Sequence, residues 1–281
     1  MMDFKYGWKQ PKIKKSFKSQ IDELKKLVQK KPILPFLFCD PRRFDDSHSD
    51  ENLYKLFNYA FTGDTPFFGV KLYPALGYRP SDYRLDPIFN ICNDLRIPVL
   101  THCGGESIST DGKEIIVYEG EKEIILPERK REDMAYELNN PNHWIPVLEK
   151  YPNLVLNLAH FGSDDTWSAV GRVSTKIDPQ QRKEAIFDLI NNYENVYADF
   201  SYTIANESAT DNFITVITNN ARIRKRSLFG SDFWVVNGAG NLDDNQATFL
   251  DAVKKADPAL VDVLCKENPR RYLFGELDFL K

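Results

Sequence analysis

The stretch that decides the fold is IPVLTHCGGES, residues 97–107. A short apolar run ends in Thr-His-Cys, and two glycines follow it. Strands that are apolar throughout are typical of parallel sheets covered by helices on both faces. A polar residue at the end of such a strand lies at the edge of the sheet where α/β proteins build their sites. The stretch therefore predicts a buried parallel strand that ends at a candidate site residue, His102.

The same alternation of apolar strands and amphipathic helices runs along the chain. Apolar runs such as GVKLYP (69–74), LVLNLAHFG (154–162) and VYADFSY (196–202) are separated by segments with helical periodicity. About six βα units result, which fits a (β/α) barrel or a doubly wound sheet. No glycine-rich phosphate loop follows a strand, which disfavours the nucleotide-binding open sheet. We therefore predict an α/β fold of the TIM-type (β/α) barrel class.

Composition and charge narrow the classes of partner. The chain has 281 residues and a net charge of −4 at pH 7, which disfavours a nucleic-acid-binding face. No run approaches the roughly 20 apolar residues of a membrane span. The four cysteines are scattered without a C-x-x-C pair, which favours reduced thiols and a cytoplasmic location. The expected partner is a small-molecule substrate, and we expect no binding to nucleic acid or membranes. The sequence is compatible with a homo-oligomer but does not decide the oligomeric state.

One segment breaks the alternation, at about residues 106–140. KEIIVYE (113–119) and KEIIL (122–126) flank Gly120 and Glu121, which predicts a β-hairpin. Barrel enzymes build substrate lids from loops in such positions, although a surface hairpin without a role is an equal alternative. We predict one barrel domain over residues 1–281 that carries this hairpin insertion.

Ionisable side chains recur where the apolar strands end. One such residue is most often a satisfied cap or half of an ion pair, but in a barrel the carboxyl ends of all strands meet at one mouth. Imidazole and carboxylate groups are the ligands that a borderline divalent metal such as Zn²⁺ selects. The residues in these positions are Lys71, His102, His160, Asp199 and Asp232.

These positions carry a resemblance to a known family. THCG, LAHFG and LFGSD in this order, with GVKLYP and the late ENPRRYLFG, resemble the amidohydrolase superfamily and specifically its amidohydrolase-2 branch. The resemblance runs from about Pro35 to the C-terminus. It implies a (β/α)₈ barrel and metal-dependent hydrolysis of an amide, ester or lactone bond, or decarboxylation in some members. The implied cofactor is a divalent metal, zinc first and manganese as the alternative.

The resemblance also implies a role for each matched residue. Asp232 and His160 would be catalytic: Asp232 would take a proton from the attacking water, and His160 would be a ligand or polarise the substrate. The implied metal ligands are His102, His160, Asp232 and Lys71, the last at the position of a carbamylated lysine in some members. The candidate substrate-binding residues, for which core packing or a surface position is the alternative, are Tyr73, Arg79, Trp144, Phe161 and Trp234.

The sequence departs from the family at the first strand. That strand ends in His-x-His in the family, whereas the four histidines here, at positions 48, 102, 143 and 160, never lie two residues apart. ILPFLFCD (33–40) matches the family's third strand, so we expect a barrel without its first one or two βα units. A metal would then bind weakly or not at all. The alternative function is a non-catalytic or truncated barrel that binds a small ligand or a partner subunit.

Overall fold

The computed structural model describes residues 15–45, 49–104, 108–167, 178–238 and 242–275. Within these ranges the chain folds as two compact units. Unit 1 runs up to His102 and includes the chain from the insertion to Val155. Unit 2 contains Cys103, Gly104 and the chain from Leu156 onward.

Unit 1 is built around three parallel strands, β1 (Phe36–Phe38), β2 (Gly69–Leu72) and β3 (Val99–His102), which pair in that order. Most of their side chains are buried, because helices cover the sheet, and this explains why continuous apolar runs encode the strands. The helices of the unit are α1 (Phe17–Val28), α2 (Leu53–Phe61), α3 (Asp86–Leu95), α4 (Arg131–Leu138) and α5 (Ile145–Lys150).

The insertion in unit 1 contains an antiparallel hairpin of β4 (Ile115–Glu119) and β5 (Lys122–Leu126). Its turn bonds to the loop after β2: the Gly120 N–H donates to the Ser81 carbonyl at 2.8 Å, and the Tyr83 N–H donates to the Gly120 carbonyl at 3.4 Å. The hairpin is thus anchored by its tip, and its role as a substrate lid stays a prediction. Its inner face and α4 share a small apolar core of Val117, Leu126, Met134 and Leu138.

Unit 2 contains three further parallel strands, β6 (Leu156–Ala159), β7 (Val196–Asp199) and β8 (Ser227–Leu228), which again pair in chain order. Every residue of these strands is buried. The helices of the unit are α6 (Pro179–Asn192), α7 (Glu207–Asn219), α8 (Ala221–Arg226), α9 (Phe233–Gly238), α10 (Leu242–Ala256), α11 (Ala259–Asp262) and α12 (Asn268–Phe274).

An aromatic cluster forms the core of unit 2. The rings of Phe200 and Phe213 stack with centroids 4.1 Å apart, and Trp167 packs edge-on against both, at 5.7 and 5.5 Å. The indole N–H of Trp167 donates to the Phe161 carbonyl at 2.9 Å, so its polar atom is satisfied inside the core. This packing fixes the segments that follow β6 and β7.

A π-helical turn, Val263–Glu267, determines how the chain leaves β8. The carbonyl of Leu264 within this turn accepts a hydrogen bond of 3.1 Å from the N–H of Phe229, the residue directly after the strand. π-helical turns release backbone groups from the regular helical ladder and are frequent near functional sites. The turn therefore holds the start of the segment that leads to Asp232.

The six parallel strands and their intervening helices confirm the predicted α/β fold. A complete TIM barrel has eight such strands, two more than the described part of the chain contains. The single domain over residues 1–281 stays a prediction. None of the helices in the described ranges is long and apolar enough to cross a membrane.

Candidate functional site at the strand ends

Three of the predicted site residues lie together in unit 1, around the ring of Tyr73. The imidazole of His102 stacks on this ring, with centroids 4.1 Å apart and an interplanar angle of 13°. The ammonium of Lys71 lies 5.9 Å from the centroid of the same ring. Tyr73 and His102 are buried. The structure thus brings two predicted metal ligands, Lys71 and His102, to one aromatic side chain.

The other predicted substrate-binding residues of unit 1 have structural partners. The buried guanidinium of Arg79 donates to Glu119 Oε2 at 3.3 Å and to Glu137 Oε1 at 3.0 Å. Trp144 is buried, with its ring 6.0 Å from that of Phe89. These contacts describe an ion-pair cluster and core packing, so a role of Arg79 or Trp144 in substrate binding stays a prediction.

Three cationic or hydrogen-bonding side chains of the described residues lie near the Glu137 carboxylate: Arg79, His143 and Arg129, whose Nη1 is 3.9 Å from Oε2. His143 lies in the 3₁₀ turn Pro141–Trp144, with Nε2 3.7 Å from Glu137 Oε1 and 2.9 Å from the Glu137 carbonyl oxygen. His143 and then Arg79 favour the charged carboxylate and lower the pKa of Glu137 to about 2, against the opposing effect of burial. His143 therefore belongs to this cluster, and His48 lies outside the described residues.

In unit 2 a network of buried polar groups joins the ends of β6 and β7. Asp199 accepts hydrogen bonds from Asn157 Nδ2 at 2.8 Å and from the backbone N–H groups of His160 and Ser201 at 3.2 and 3.1 Å. The hydroxyl of Ser201 donates to Asp199 Oδ1 and lies 3.0 Å from His160 Nδ1. All four residues are at least nine-tenths buried. His160 is thus held by side chains that motif matching leaves without a role.

Asp199 is a buried carboxylate whose partners are all neutral. Its four hydrogen bonds come from an amide, two backbone N–H groups and a hydroxyl, and no lysine or arginine in the described part of the chain pairs with it. Because every partner is a donor, the carboxyl group acts as an acceptor only, which is the behaviour of the ionised form. A buried charge is costly unless hydrogen bonds compensate it, and here they do.

Backbone strain concentrates around the same strand ends. Six non-glycine residues in the described ranges have positive φ, and one of them, Arg96, is the C-cap of α3. The other five belong to unit 2. Such conformations cost about 1–3 kcal/mol each and cluster at functional sites, where surrounding contacts hold them. They are His160 (φ 67°), Phe161 (44°), Ser163 (82°), Tyr202 (62°) and Asp232 (48°).

Asp232 lies between β8 and α9. Its backbone carbonyl accepts hydrogen bonds from the N–H groups of Val235 and Val236 at 3.0 and 3.2 Å, which starts the helix. Its carboxylate makes no hydrogen bond with a described residue and is partly exposed. The backbone of Asp232 is therefore fixed, and binding of a metal by its carboxylate stays a prediction.

Gly230 links the segment of Asp232 to the network. A Cβ atom on this glycine would lie 2.9 Å from Ser201 Cβ and 3.4 Å from Asp199 Oδ1. The first distance is too short for two carbon atoms, so only glycine fits without a shift of Ser201. Both predicted catalytic residues, His160 and Asp232, thus belong to segments that contact Asp199 and Ser201.

The last two predicted substrate-binding residues also lie in unit 2. Phe161 is fully buried, and its ring packs edge-on against Trp167 at 5.0 Å. Trp234 is in α9, but its side chain lies outside the described part of the structure. Substrate binding by either residue stays a prediction.

The donors of unit 2 fit a divalent metal by type. His160 offers an imidazole whose orientation is fixed by hydrogen bonds at Nδ1, as in metal sites with supporting second-layer contacts. Asp232 adds a carboxylate, and this pair of donor types suits Zn²⁺ and Mn²⁺. No group of three His, Cys, Asp or Glu residues close enough to hold one ion occurs among the described residues. The donor types of His160 and Asp232 therefore suit a divalent metal, but the described residues do not provide the third ligand of a three-ligand site.

Parallel strands with ionisable side chains at their carboxyl ends define the structural class, an α/β protein of the TIM type. Within this class, the chain belongs to the Amidohydrolase family, which it matches over residues 23–275. This match confirms the predicted amidohydrolase-2 family. A search of curated proteins gives no significant match.

Solved structures of low sequence identity share the fold. An uncharacterised TIM-barrel protein from Bordetella bronchiseptica has a TM-score of 0.58 at 18% identity, over 91% of this chain and 71% of that chain. A zinc-bound amidohydrolase from Burkholderia multivorans has a TM-score of 0.56 at 12% identity, over 92% and 80%. The manganese-bound 5-carboxyvanillate decarboxylase from Novosphingobium aromaticivorans has a TM-score of 0.51 at 14% sequence identity. The match covers 91% of this chain and 68% of that chain. These likenesses confirm the TIM-type fold class.

Proposed function

We propose that the chain is a metal-dependent hydrolase that cleaves an amide, ester or lactone bond of a small molecule. The observation that carries the proposal is the buried network in which Asp199 and Ser201 hold His160 at the end of β6. Membership of the Amidohydrolase family supports the chemistry. The related outcome is decarboxylation of a small carboxylic acid, the activity named for the fold relative from Novosphingobium aromaticivorans.

In unit 2, His160 and Asp232 are the proposed ligands of a divalent metal, zinc or manganese. In unit 1, His102 and Lys71 stay predicted ligands. When bound, such a metal lowers the pKa of a coordinated water and polarises a carbonyl group. The fold relatives that carry zinc or manganese support a divalent metal of this kind.

The residues of unit 2 then have separate tasks in hydrolysis. The imidazole of His160, whose ring is fixed by hydrogen bonds to Ser201, would hold the metal beside the substrate carbonyl. The carboxylate of Asp232 accepts the proton of the attacking water as its oxygen forms a bond to the carbonyl carbon. The proton then passes to the leaving nitrogen or oxygen as the C–N or C–O bond breaks.

A second candidate function is binding of a small ligand or a partner subunit without catalysis. The observation that favours it is the spacing of the four histidines, none of which lies two residues from another. A cytoplasmic location is also part of the proposal, supported by four cysteines of which none forms a disulfide.

The two candidates differ in metal content and turnover. The full chain, His160→Asn and Asp232→Asn are loaded with zinc or manganese, analysed for bound metal, and assayed with amide, ester, lactone and aromatic carboxylic acid substrates. The matched control is His143→Asn, which changes a histidine of the ion-pair cluster in unit 1. We expect bound metal and turnover in the native chain and the control, and loss of both in the two other variants. A native chain that binds ligand but neither holds metal nor turns over substrate contradicts the hydrolase.

A further inference from the structure

The hydrogen bonds around Ser201 determine which nitrogen of His160 carries the proton. Ser201 Oγ is within hydrogen-bonding distance of Asp199 Oδ1 and lies 3.0 Å from His160 Nδ1. A hydroxyl group has one proton to donate. Because the Asp199 carboxylate already accepts three N–H donors and only accepts, the hydroxyl proton points to Oδ1. Ser201 Oγ must therefore accept from His160 Nδ1.

A second contact requires the same proton position. His160 Nδ1 also lies 3.4 Å from the backbone carbonyl oxygen of Ser201, which can only accept. Both neighbours of Nδ1 are thus acceptors, and Nδ1 is the donor to both. The lone pair of the neutral ring is consequently on Nε2.

We propose that Ser201 and Asp199 are positioning residues that hold the imidazole of His160 as the Nδ1–H tautomer, in which the lone pair that a metal would use is on Nε2. The use of that lone pair rests on the proposed function, whereas the tautomer itself follows from the hydrogen bonds alone. A hydrogen bond from the second nitrogen to an acceptor is the usual way in which proteins fix the tautomer of a ligating histidine.

Asp199 fixes His160 in two ways at once. Its Oδ1 accepts from the backbone N–H of His160 at 3.2 Å, at a residue with positive φ, and it accepts from the Ser201 hydroxyl that contacts the ring. Asn157 holds the other carboxylate oxygen at 2.8 Å. Because these groups are buried, the hydrogen bonds act in a low dielectric and reinforce one another. Backbone and ring of His160 therefore depend on the same carboxylate.

If Ser201 only stabilised the fold, its replacement would leave the tautomer of His160 unchanged. Nitrogen NMR of the His160 ring distinguishes this structural role from the proposed positioning role. The full chain is labelled with ¹⁵N-histidine, freed of metal with EDTA, and measured at a pH where imidazole is neutral. The signals of His160 are those that disappear in His160→Asn. In the native chain we expect one ring nitrogen at the shift of a protonated nitrogen, assigned to Nδ1, and the other at the shift of a lone-pair nitrogen, assigned to Nε2.

Ser201→Ala removes the closer of the two acceptors that face Nδ1 and leaves only the carbonyl oxygen at 3.4 Å, so the two nitrogen shifts should move towards each other as the second tautomer becomes populated. Ser201→Thr keeps the hydroxyl and should restore the native pattern. Ser201→Cys, whose sulfur is a weak acceptor, serves as the second variant if the alanine variant does not fold. The matched control is Ser227→Ala, since Ser227 is also buried in unit 2 but donates to the Ile223 carbonyl at 2.8 Å; it should give the native His160 signals.

Two results would overturn the proposal: an Nε2–H tautomer in the native chain, or unchanged His160 signals in folded Ser201→Ala. Failure of the hydrolase is a separate result. If the native chain has the Nδ1–H tautomer but holds no metal and turns over no substrate, the positioning by Ser201 and Asp199 stands and the proposed hydrolysis is wrong.

Discussion

Asp40 after β1 and Asp199 at the end of β7 look alike in the sequence, and both are buried, but their partners differ. Asp40 is held by the guanidinium of Arg42, with Nε 2.8 Å from Oδ1 and Nη2 2.5 Å from Oδ2. Asp199 accepts only from neutral groups, and its hydrogen bonds continue through Ser201 to the ring of His160. In unit 1 the strand-end carboxylate of Asp40 is thus paired with an arginine. In unit 2 the strand-end carboxylate of Asp199 is hydrogen-bonded, through Ser201, to the candidate catalytic residue His160.

The same contrast extends to neighbouring groups. In unit 1, Asp82 is paired by Arg84 at 2.9 and 2.7 Å, another two-point contact between charges. Such pairs stabilise loops after strands but leave no unpaired charge for a ligand. Unit 2 instead combines a buried carboxylate that is held by neutral donors with five strained backbone positions. The difference favours the strand ends of unit 2 over those of unit 1 as the proposed functional site.

The largest expected effect comes from removing the two carboxylates in turn. Asp199→Ala leaves four buried donors without their acceptor and should lower the free energy of unfolding by about 3 kcal/mol or more. Asp40→Ala leaves the Arg42 side chain, which is 23% exposed and can reach water, so we expect a loss of about 1–2 kcal/mol. Urea unfolding measures both values. Equal losses would break the distinction between the two aspartates.

The ion-pair cluster of unit 1 should make the free energy of unfolding depend on pH in the acidic range. Because His143 and Arg79 hold the pKa of Glu137 at about 2, below its ordinary value of 4.5, the stabilisation is complete above about pH 4.5 and is lost as the pH falls towards 2. It amounts to about 3 kcal/mol at most. Urea unfolding of the native chain and Glu137→Gln across this range measures the effect. The difference in stability between them should shrink on acidification; a constant difference would show that the charge of Glu137 contributes nothing.

A smaller effect on stability, but a selective one on activity, is expected at Gly230. Gly230→Ala forces a Cβ atom to 2.9 Å from Ser201 Cβ and should cost about 1–2 kcal/mol together with most of the turnover. The control is Gly63→Ala, which has φ +82° and no atom within 4 Å of the added carbon. It should cost about 1 kcal/mol through strain alone and keep its turnover. Similar turnover in both variants would show that the close packing of Gly230 against Ser201 does not matter for activity.

The strands and their polar ends could be predicted because their signals are local. The run that ends at His102 is β3 and the run that ends at Asp199 is β7, since a continuous apolar segment has no alternative to burial on both faces. Helix α6 begins after Asp178, which accepts from the N–H of Gln180 at 2.9 Å, as the Asp-Pro pair predicts. Propensity, capping and burial agree in these elements.

The network around His160 could not be predicted, because it depends on contacts between distant residues. Ser201 reaches His160 where the chain turns sharply, with positive φ at His160 and Tyr202, and such a conformation is too uncommon in non-glycine residues to be predicted from their identity. The available signals were an aspartate in the otherwise apolar VYADFSY and the glycine of LFGSD. Each is common alone, and only the fold shows that Gly230 lies against Asp199 and Ser201.

The most direct test of the central claim, that the network of unit 2 supports a metal-binding His160, is a zinc titration of the metal-free full chain by calorimetry. The native chain, Ser201→Ala and Ser227→Ala are compared at the same pH. We expect Ser201→Ala to bind zinc about 10–100-fold more weakly than the native chain, because it loses the partner that orients the ligating ring. Ser227→Ala should bind like the native chain. Equal affinities in all three proteins, or no zinc binding by the native chain, would contradict the claim.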